Sequence, residues 1–490
     1  MAKRVAVIDI GSNSVRMVVY EKTSRYAFHQ LHEEKSKVRI SENAYKDNGN
    51  LQEIPMQRAF NALADFIKIS ESFNARKLLC VATSALRDAP NQQDFLREVK
   101  KKLKLNIKII SGEKEAYFGA IACANLLPKQ SNAMSIDIGG GSTEISAIDK
   151  DSVSNTISLK LGTVRLKELY FDNDDIDGAI EYIDAQLSLI SDFDISTLIG
   201  IGGTFRAISS AILQSQNYPL DKIHAYEYSL ETFSEYIEKI LDTKSSNELS
   251  ALGIKNNRLD VIKPGTLILQ RVIKKFNIHK VITSGVGVRE GVYLSDLLRN
   301  SKHKFPHNYN TSIKYLIDSH VQDKAFSILL NSLSKKLFDL TKETLSLDES
   351  YRYELGIAAK LYPTGSNIHF YSQNKHTYYL IQSALEYGFT HKNITLIATL
   401  TKYAKNRLPT TSHLQKYAQL LPAEHITKAL SYLLSLSIAL LSHRPRNIDF
   451  QMKIEDGTII IDSKDKLYIA EDAVKKLECS HETLRVVFNS

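Results

Sequence analysis

A six-residue signature that occurs twice restricts the fold more than any other feature of this chain. Asp9-Ile10-Gly11-Ser12-Asn13-Ser14 and Asp137-Ile138-Gly139-Gly140-Gly141-Ser142 each stand between two β-branched runs, at 4–20 and at 133–149. Apolar runs on either side of a polar glycine turn predict a β-hairpin. A hairpin that recurs within residues 1–300 implies two similar lobes facing each other. Between the copies, strand-like and helical patterns alternate: helix at 54–73, strand at 77–83, helix at 91–104, strand at 107–110 and helix at 113–126. The expected class is therefore α/β.

With 490 residues the chain is too long for one core. The expected division is a first lobe at 1–127, a second at 128–300, an all-helical domain at 301–445 and a small α+β domain at 446–490. The helical reading rests on runs such as AFSILLNSLSKKLFDLTKETL and ITKALSYLLSLSIALLSH. In the tail, Asp456-Gly457 between alternating runs predicts a hairpin. Cys80, Cys123 and Cys479 are few, dispersed and odd in number, which fits reduced thiols and neither a disulfide framework nor a zinc cluster. No apolar run approaches bilayer length and the start runs straight into a strand pattern, so a cytoplasmic protein without membrane partners is expected. Of the net charge of +8, +6 falls in residues 301–490, where it either draws a polyanion or simply solvates the surface.

Glycine turns let successive backbone N–H groups approach a phosphate, and hydroxyl side chains add donors. Gly11, Ser12, Asn13 and Ser14 form one such turn, and Gly139, Gly140, Gly141, Ser142 and Thr143 the other. Asp9 and Asp137 precede them at strand ends, where a carboxylate can hold Mg²⁺. Two further glycine clusters, Gly200–Thr204 and Ser284–Gly291, also follow strands and open helices, suggesting a cleft lined by backbone amides. Phosphoryl transfer to water needs charge neutralisation and an aligned water. Candidate carboxylates are Asp9, Asp137, Glu144 and Glu115, although Glu115 also reads as an ordinary first-turn acid of a helix opened by Ser111. Arg16 and Arg87 are candidate phosphate clamps, with Arg206 and Arg289 behind them.

Five ordered segments, VIDIGSNSVR, ATSALRDAPN, SGEKEA, IDIGGGSTE and SGVGVREG, resemble the exopolyphosphatase and guanosine pentaphosphate phosphohydrolase family of the actin, sugar kinase and Hsp70 fold superfamily. The resemblance implies two actin-like (ribonuclease H-like) lobes and Mg²⁺-dependent release of a terminal phosphate from polyphosphate or guanosine pentaphosphate. It implies that Glu115 aims or deprotonates the attacking water, that Asp137 and Glu144 place the metal, and that the chain pairs as a homodimer. No sequence-specific nucleic-acid partner is expected. The family's usual Glu is Lys114 here, a change expected to add positive charge at the cleft rim. An actin-like ATP-dependent kinase and a non-catalytic nucleotide or polyanion sensor are the competing classes. Residues from 301 onward resemble the family's HD-phosphohydrolase-like module, but Leu361-Tyr362-Pro363-Thr364-Gly365 and Ala404 stand where metal-binding His residues are expected, leaving His376 and implying a scaffold without metal chemistry.

Overall fold

A computed structural model describes residues 4–191, 194–478 and 484–489. The chain forms two compact units, Met1–Tyr309 and Asn310–Ser490. The first contains a five-stranded sheet of β1 (Arg4–Ile10), β2 (Val15–Lys22), β3 (Phe28–Ser36), β4 (Lys77–Ala82) and β5 (Lys108–Ile109). Its order is β3-β2-β1-β4-β5, antiparallel across β1–β3 and parallel from β1 to β5. The second sheet repeats that plan with β6 (Ala133–Ile138), β7 (Thr143–Asp149), β8 (Ser152–Leu159), β9 (Thr197–Ile201), β10 (Tyr226–Ser229) and β11 (Lys280–Thr283), in the order β10-β11-β9-β6-β7-β8. The only addition is β10, an antiparallel edge strand on β11. The fold class is thus the expected one, α/β with two actin-like lobes followed by a helical unit.

Packing divides the lobes differently from chain order. The helix Gly112–Leu126, assigned by position to the first lobe, sets Ala120, Cys123, Ala124 and Leu127 against Ala133, Ile148, Ile199 and Ile282 of the second sheet. It is buried almost all round because a second helix, Val288–Leu297, covers its other side. That second helix returns to the first sheet, where Tyr293 stacks on Tyr20 at 4.4 Å. Each lobe therefore contributes one helix to the other, which fixes the cleft walls relative to both sheets. Cys80 and Cys123 are buried free thiols, whereas Cys479 lies outside the described residues.

The second unit is helical, with a three-stranded sheet of β12 (Phe450–Glu455), β13 (Thr458–Ser463) and β14 (Arg485–Asn489). Asp456 and Gly457 both take positive φ, 45° and 75°, and close the expected hairpin. The tail is not a separate domain: Ile459 and Ile461 of β13 are fully buried in the same core as Leu333, Leu337 and Leu433. So small a sheet has no core of its own and is stable only against a partner. Ala404 lies fully buried in that core too. Tyr362 gives its carbonyl to Gln373 and Thr377, at 3.0 and 2.8 Å, and His376 is half-buried on the helix Gln373–Ala384. No helix among the described residues is long and apolar enough to cross a membrane.

Candidate active site

The two signature turns are superposable in register as well as in sequence. In the first hairpin Asp9 pairs with Arg16 and Ile10 with Val15; in the second Asp137 pairs with Glu144 and Ile138 with Thr143. Each turn closes with the same backbone bond, Gly11 N–H to Ser14 O at 3.2 Å and Gly139 N–H to Ser142 O at 2.9 Å. The chemistry opposite the aspartates then diverges. Directly opposed residues share a face of the sheet, so Asp9 faces a cation while Asp137 faces another carboxylate, an arrangement that costs stability.

Both turns open on one pocket, which also receives Gly202, Gly203 and Arg206 from the third glycine cluster and Gly287, Arg289 and Glu290 from the fourth. Four turns scattered over the sequence thus meet at a single cleft. Gly11, Ser12, Asn13, Ser14, Gly139, Gly140 and Ser142 line it, as do Asp9, Arg16, Glu115, Asp137 and Glu144. Two residues of the second turn do not. The Thr143 hydroxyl is donated to Leu161 O at 2.6 Å, and Gly141 packs under Tyr45 and Ser84.

Glu115 is both a helix-start residue and a cleft residue. Ser111 caps the helix by accepting the Lys114 N–H at 3.2 Å, and Glu115 sits just inside, 8% exposed. Burial and then the nearby Glu144 carboxylate push its pKa well up, against the pull of Arg87, whose Nη1 donates to Glu115 Oε2 at 2.9 Å. Arg87 also donates to Ile110 O at 3.2 Å. Arg87 therefore positions Glu115 from behind and is not itself on the cleft wall. Lys114 turns away as well, its ammonium over the Tyr117 and Phe118 rings at 4.8 and 4.9 Å, so the expected rim charge is not found.

Gly112 lets the helix come this close. A Cβ there would stand 2.3 Å from Ser158 Cβ, and Ser158 Oγ donates to Glu144 Oε1 at 2.8 Å. Gly112→Ala should therefore displace Glu115 and Glu144 together, costing about 1–3 kcal/mol of stability and most of the turnover. Adding Ser158→Gly should restore much of the loss, whereas Ser158→Ala, which keeps the obstructing Cβ, should not; thermal unfolding and phosphate release measure both.

Of the three remaining carboxylates Glu144 is buried, and Asp9 and Asp137 are half-buried on the cleft wall. Burial raises Asp137 to about 6 and Glu144 to about 7, with each aspartate adding to the strain on its neighbours, and it raises Asp9 as well. Among the described residues no three acidic, His or Cys side chains form a ready cation cage. The residues nevertheless fit Mg²⁺, which usually binds one or two carboxylates and keeps water and phosphate oxygens for its other positions. Asp9 Oδ1 is buried without a hydrogen-bond partner, the kind of orphaned anionic oxygen that a cation would satisfy.

The pocket also carries Arg16, a leading candidate from the sequence, together with Arg206 and Arg289, ranked behind it, and Arg258, which sequence inspection missed. Burial, and then neighbouring Arg289 and Arg206, lower Arg16 to about 10; burial also lowers Arg206 and Arg258, with Arg289 adding to the first and Arg16 to the second. Arg289 is tied to Glu33 at 2.6 Å, and Glu290 accepts from Tyr20 at 2.6 Å and from Gly287 N–H at 2.8 Å. Arg258 lies next to no glycine turn in the sequence, and only tertiary approach brings it in. Guanidinia that depress one another's pKa have room for an anion with several charges.

Residues 18–300 match the Ppx/GppA phosphatase family model, and residues 310–478 match Ppx/GppA phosphatase, domain III. A guanosine-5'-triphosphate,3'-diphosphate pyrophosphatase of Photobacterium profundum is 26% identical over 93% of this chain and 90% of its own length. A putative exopolyphosphatase of Haemophilus influenzae is 30% identical over 60% of this chain and 91% of its own. The crystal structure of the Aquifex aeolicus Ppx/GppA family member superposes with a TM-score of 0.54 at 27% identity, covering 61% of this chain and 99% of that one. The matches along both units establish that this chain belongs to the Ppx/GppA phosphatase family.

Proposed function

We propose that this protein hydrolyses the terminal phosphoryl group of inorganic polyphosphate, the 5′ γ-phosphate of guanosine pentaphosphate, or both, with Mg²⁺. The observation that carries the reading is the meeting of a buried, proton-hungry carboxylate, Glu115, with two phosphate turns and a wall of mutually repelling guanidinia in one pocket. The names of the relatives support the same substrates. Backbone N–H groups of Ser12, Asn13, Ser14, Gly140 and Ser142 bind phosphate oxygens, while Arg16, Arg206 and Arg258 offset the charge of the chain behind the transferred group. Asp9, Asp137 and Glu144 would hold Mg²⁺, which supplies charge neutralisation at the transferred phosphoryl. Glu115, its orientation fixed by Arg87, accepts a proton from the attacking water. A panel of polyphosphate, guanosine pentaphosphate and ATP, followed for phosphate release and for acceptor phosphorylation, tests the reading. Release without an acceptor is expected; transfer to an acceptor would indicate a kinase, and binding alone a sensor.

The carboxylate cluster also makes a pH-dependent prediction. With folded values of about 6 and about 7 against ordinary values of 3.8 and 4.5, Asp137 and Glu144 bind more protons folded than unfolded across that window. Their contribution to stability is therefore complete below the ordinary values and is lost as pH rises through about 6 and then about 7. The Tm of metal-free protein should fall between about pH 5 and pH 8. Mg²⁺ should recover the loss at the alkaline end and have little effect at the acid end, because it competes with protons for the same oxygens.

A further inference from the structure

The net charge of +6 in residues 301–490 is not spread over them: all of it falls in residues 355–423, where seven Lys and Arg stand against a single acid, Glu386. The other residues of 301–490 balance. The same stretch turns aromatic rings to solvent. Phe370, Tyr371 and Tyr379 are 66%, 79% and 67% exposed, and the first two rings lie 5.6 Å apart. A lone exposed ring is ordinary, whereas neighbouring rings left in water mark a surface that meets something.

Rings and cations share one face. Lys405 Nζ donates to Tyr371 O at 2.7 Å and Asn374 Nδ2 to Lys402 O at 2.5 Å, joining the segment with the exposed rings to the end of the helix His391–Lys402. Lys402 stands over the Tyr378 and Tyr403 rings at 4.8 and 5.4 Å and donates to His413 Nδ1 at 3.1 Å. Tyr378 is hydrogen-bonded to Tyr417 at 2.9 Å, and Lys416 lies over the Tyr417 ring at 5.2 Å. On the helix Gln373–Ala384, Lys375 and Tyr379 are one turn apart, and both are exposed. Among the described residues Lys402, Lys405 and Lys416 meet ring faces, a ring nitrogen and a carbonyl, and no carboxylate. His413 registers this: burial, then Lys402 and Lys416, push it down to about 4, with no acid acting in the other direction. Arg407 stands apart, because Glu478 accepts the N–H of its neighbour Leu408 at 3.1 Å.

We propose that this face binds single-stranded nucleic acid without regard to sequence. Lysines placed between rings follow a phosphate backbone while the rings stack on unpaired bases, and every base offers a face to stack on. A duplex keeps its bases inside and inorganic polyphosphate has none, so either would use the lysines and leave Phe370, Tyr371 and Tyr379 in water. A second copy fits worse: an isologous pair sets the patch against itself and brings like-charged lysines together. The site lies wholly in the helical unit and draws on no residue of the cleft.

Fluorescence anisotropy of the full-length protein with a labelled single-stranded RNA of about twelve nucleotides tests this, with DNA of the same sequence and duplex RNA in parallel. A 5′-hydroxyl end keeps terminal phosphates from the cleft. Phe370→Ala, Tyr371→Ala and Tyr379→Ala together should weaken single-strand binding by at least about ten-fold, the loss of one or more stacked bases. Tm and phosphate release from polyphosphate should not change, because the rings are exposed. Lys375→Gln with Lys416→Gln should lower the slope of log K against log salt by about 1.4, equivalent to two phosphate contacts on a single strand. The tighter of RNA and DNA identifies the strand. No binding of either, equal binding of the duplex, or binding that the three ring substitutions leave unchanged would overturn the proposal. So would a dimer that those substitutions dissociate, which would give the face to a second copy.

Discussion

Replacing Glu115 by Gln should lower kcat for phosphate release by roughly 10²–10⁴-fold, the usual contribution of a positioned base, with substrate affinity nearly intact. The side chain is buried against Glu144 and held by Arg87, so the amide fits the same space and keeps an oxygen for the Arg87 N–H. What it loses is the capacity to take a proton. Affinity should survive because the groups proposed to bind phosphate are the turn amides and Arg16, Arg206 and Arg258, none of which depends on that charge. Arg87→Ala should give a milder version of the same defect, since it frees Glu115 without removing it. Steady-state kinetics with a binding assay separates the two, and a Glu115→Gln enzyme with wild-type kcat would place the base elsewhere.

Asp137→Asn should move activity and stability in opposite directions. Asp137 and Glu144 face each other across the β6–β7 ladder, Glu144 buried and Asp137 half-buried. Without a cation, two carboxylates so placed repel, and removing one charge should raise the Tm of metal-free protein by a few degrees, about 2–4 °C for each kcal/mol gained in a domain of this size. The Glu144 pKa should fall, because Asp137 is among the charges that raise it. The same change removes an oxygen proposed to hold Mg²⁺, and turnover should drop by about 10²-fold or more, equivalent to several kcal/mol of transition-state stabilisation. A variant that lost both stability and activity would mean that Asp137 is a structural hydrogen-bonding residue.

Local chemistry explains which parts of this site could be read in the sequence. A glycine turn between β-branched runs carries its own conformation, so both hairpins, their aspartates and the two later glycine clusters were legible as residues of one cleft. Glu115 was ambiguous for a physical reason: Ser111 does cap its helix, and a first-turn acid looks the same whether it faces water or a buried site. Arg258 gave no local signal, because it lies in a turn between helices. Arg87 was recognisable as important but not as the partner of Glu115, a relation made only when the short helix Ser84–Arg87 meets the helix Gly112–Leu126. The tail looked like a separate domain because its strand pattern is complete, but the destination of Ile459 and Ile461 is invisible until the helices against which they pack are in place.

Water as the acceptor of the terminal phosphoryl group is the central claim, and isotope tracing tests it most directly. With Mg²⁺ and polyphosphate or guanosine pentaphosphate in ¹⁸O-enriched water, each phosphate released should carry one solvent oxygen, and the shortened substrate should carry none. Label in the shortened product, or phosphoryl groups recovered on an acceptor in place of labelled phosphate, would contradict hydrolysis at the terminal phosphorus.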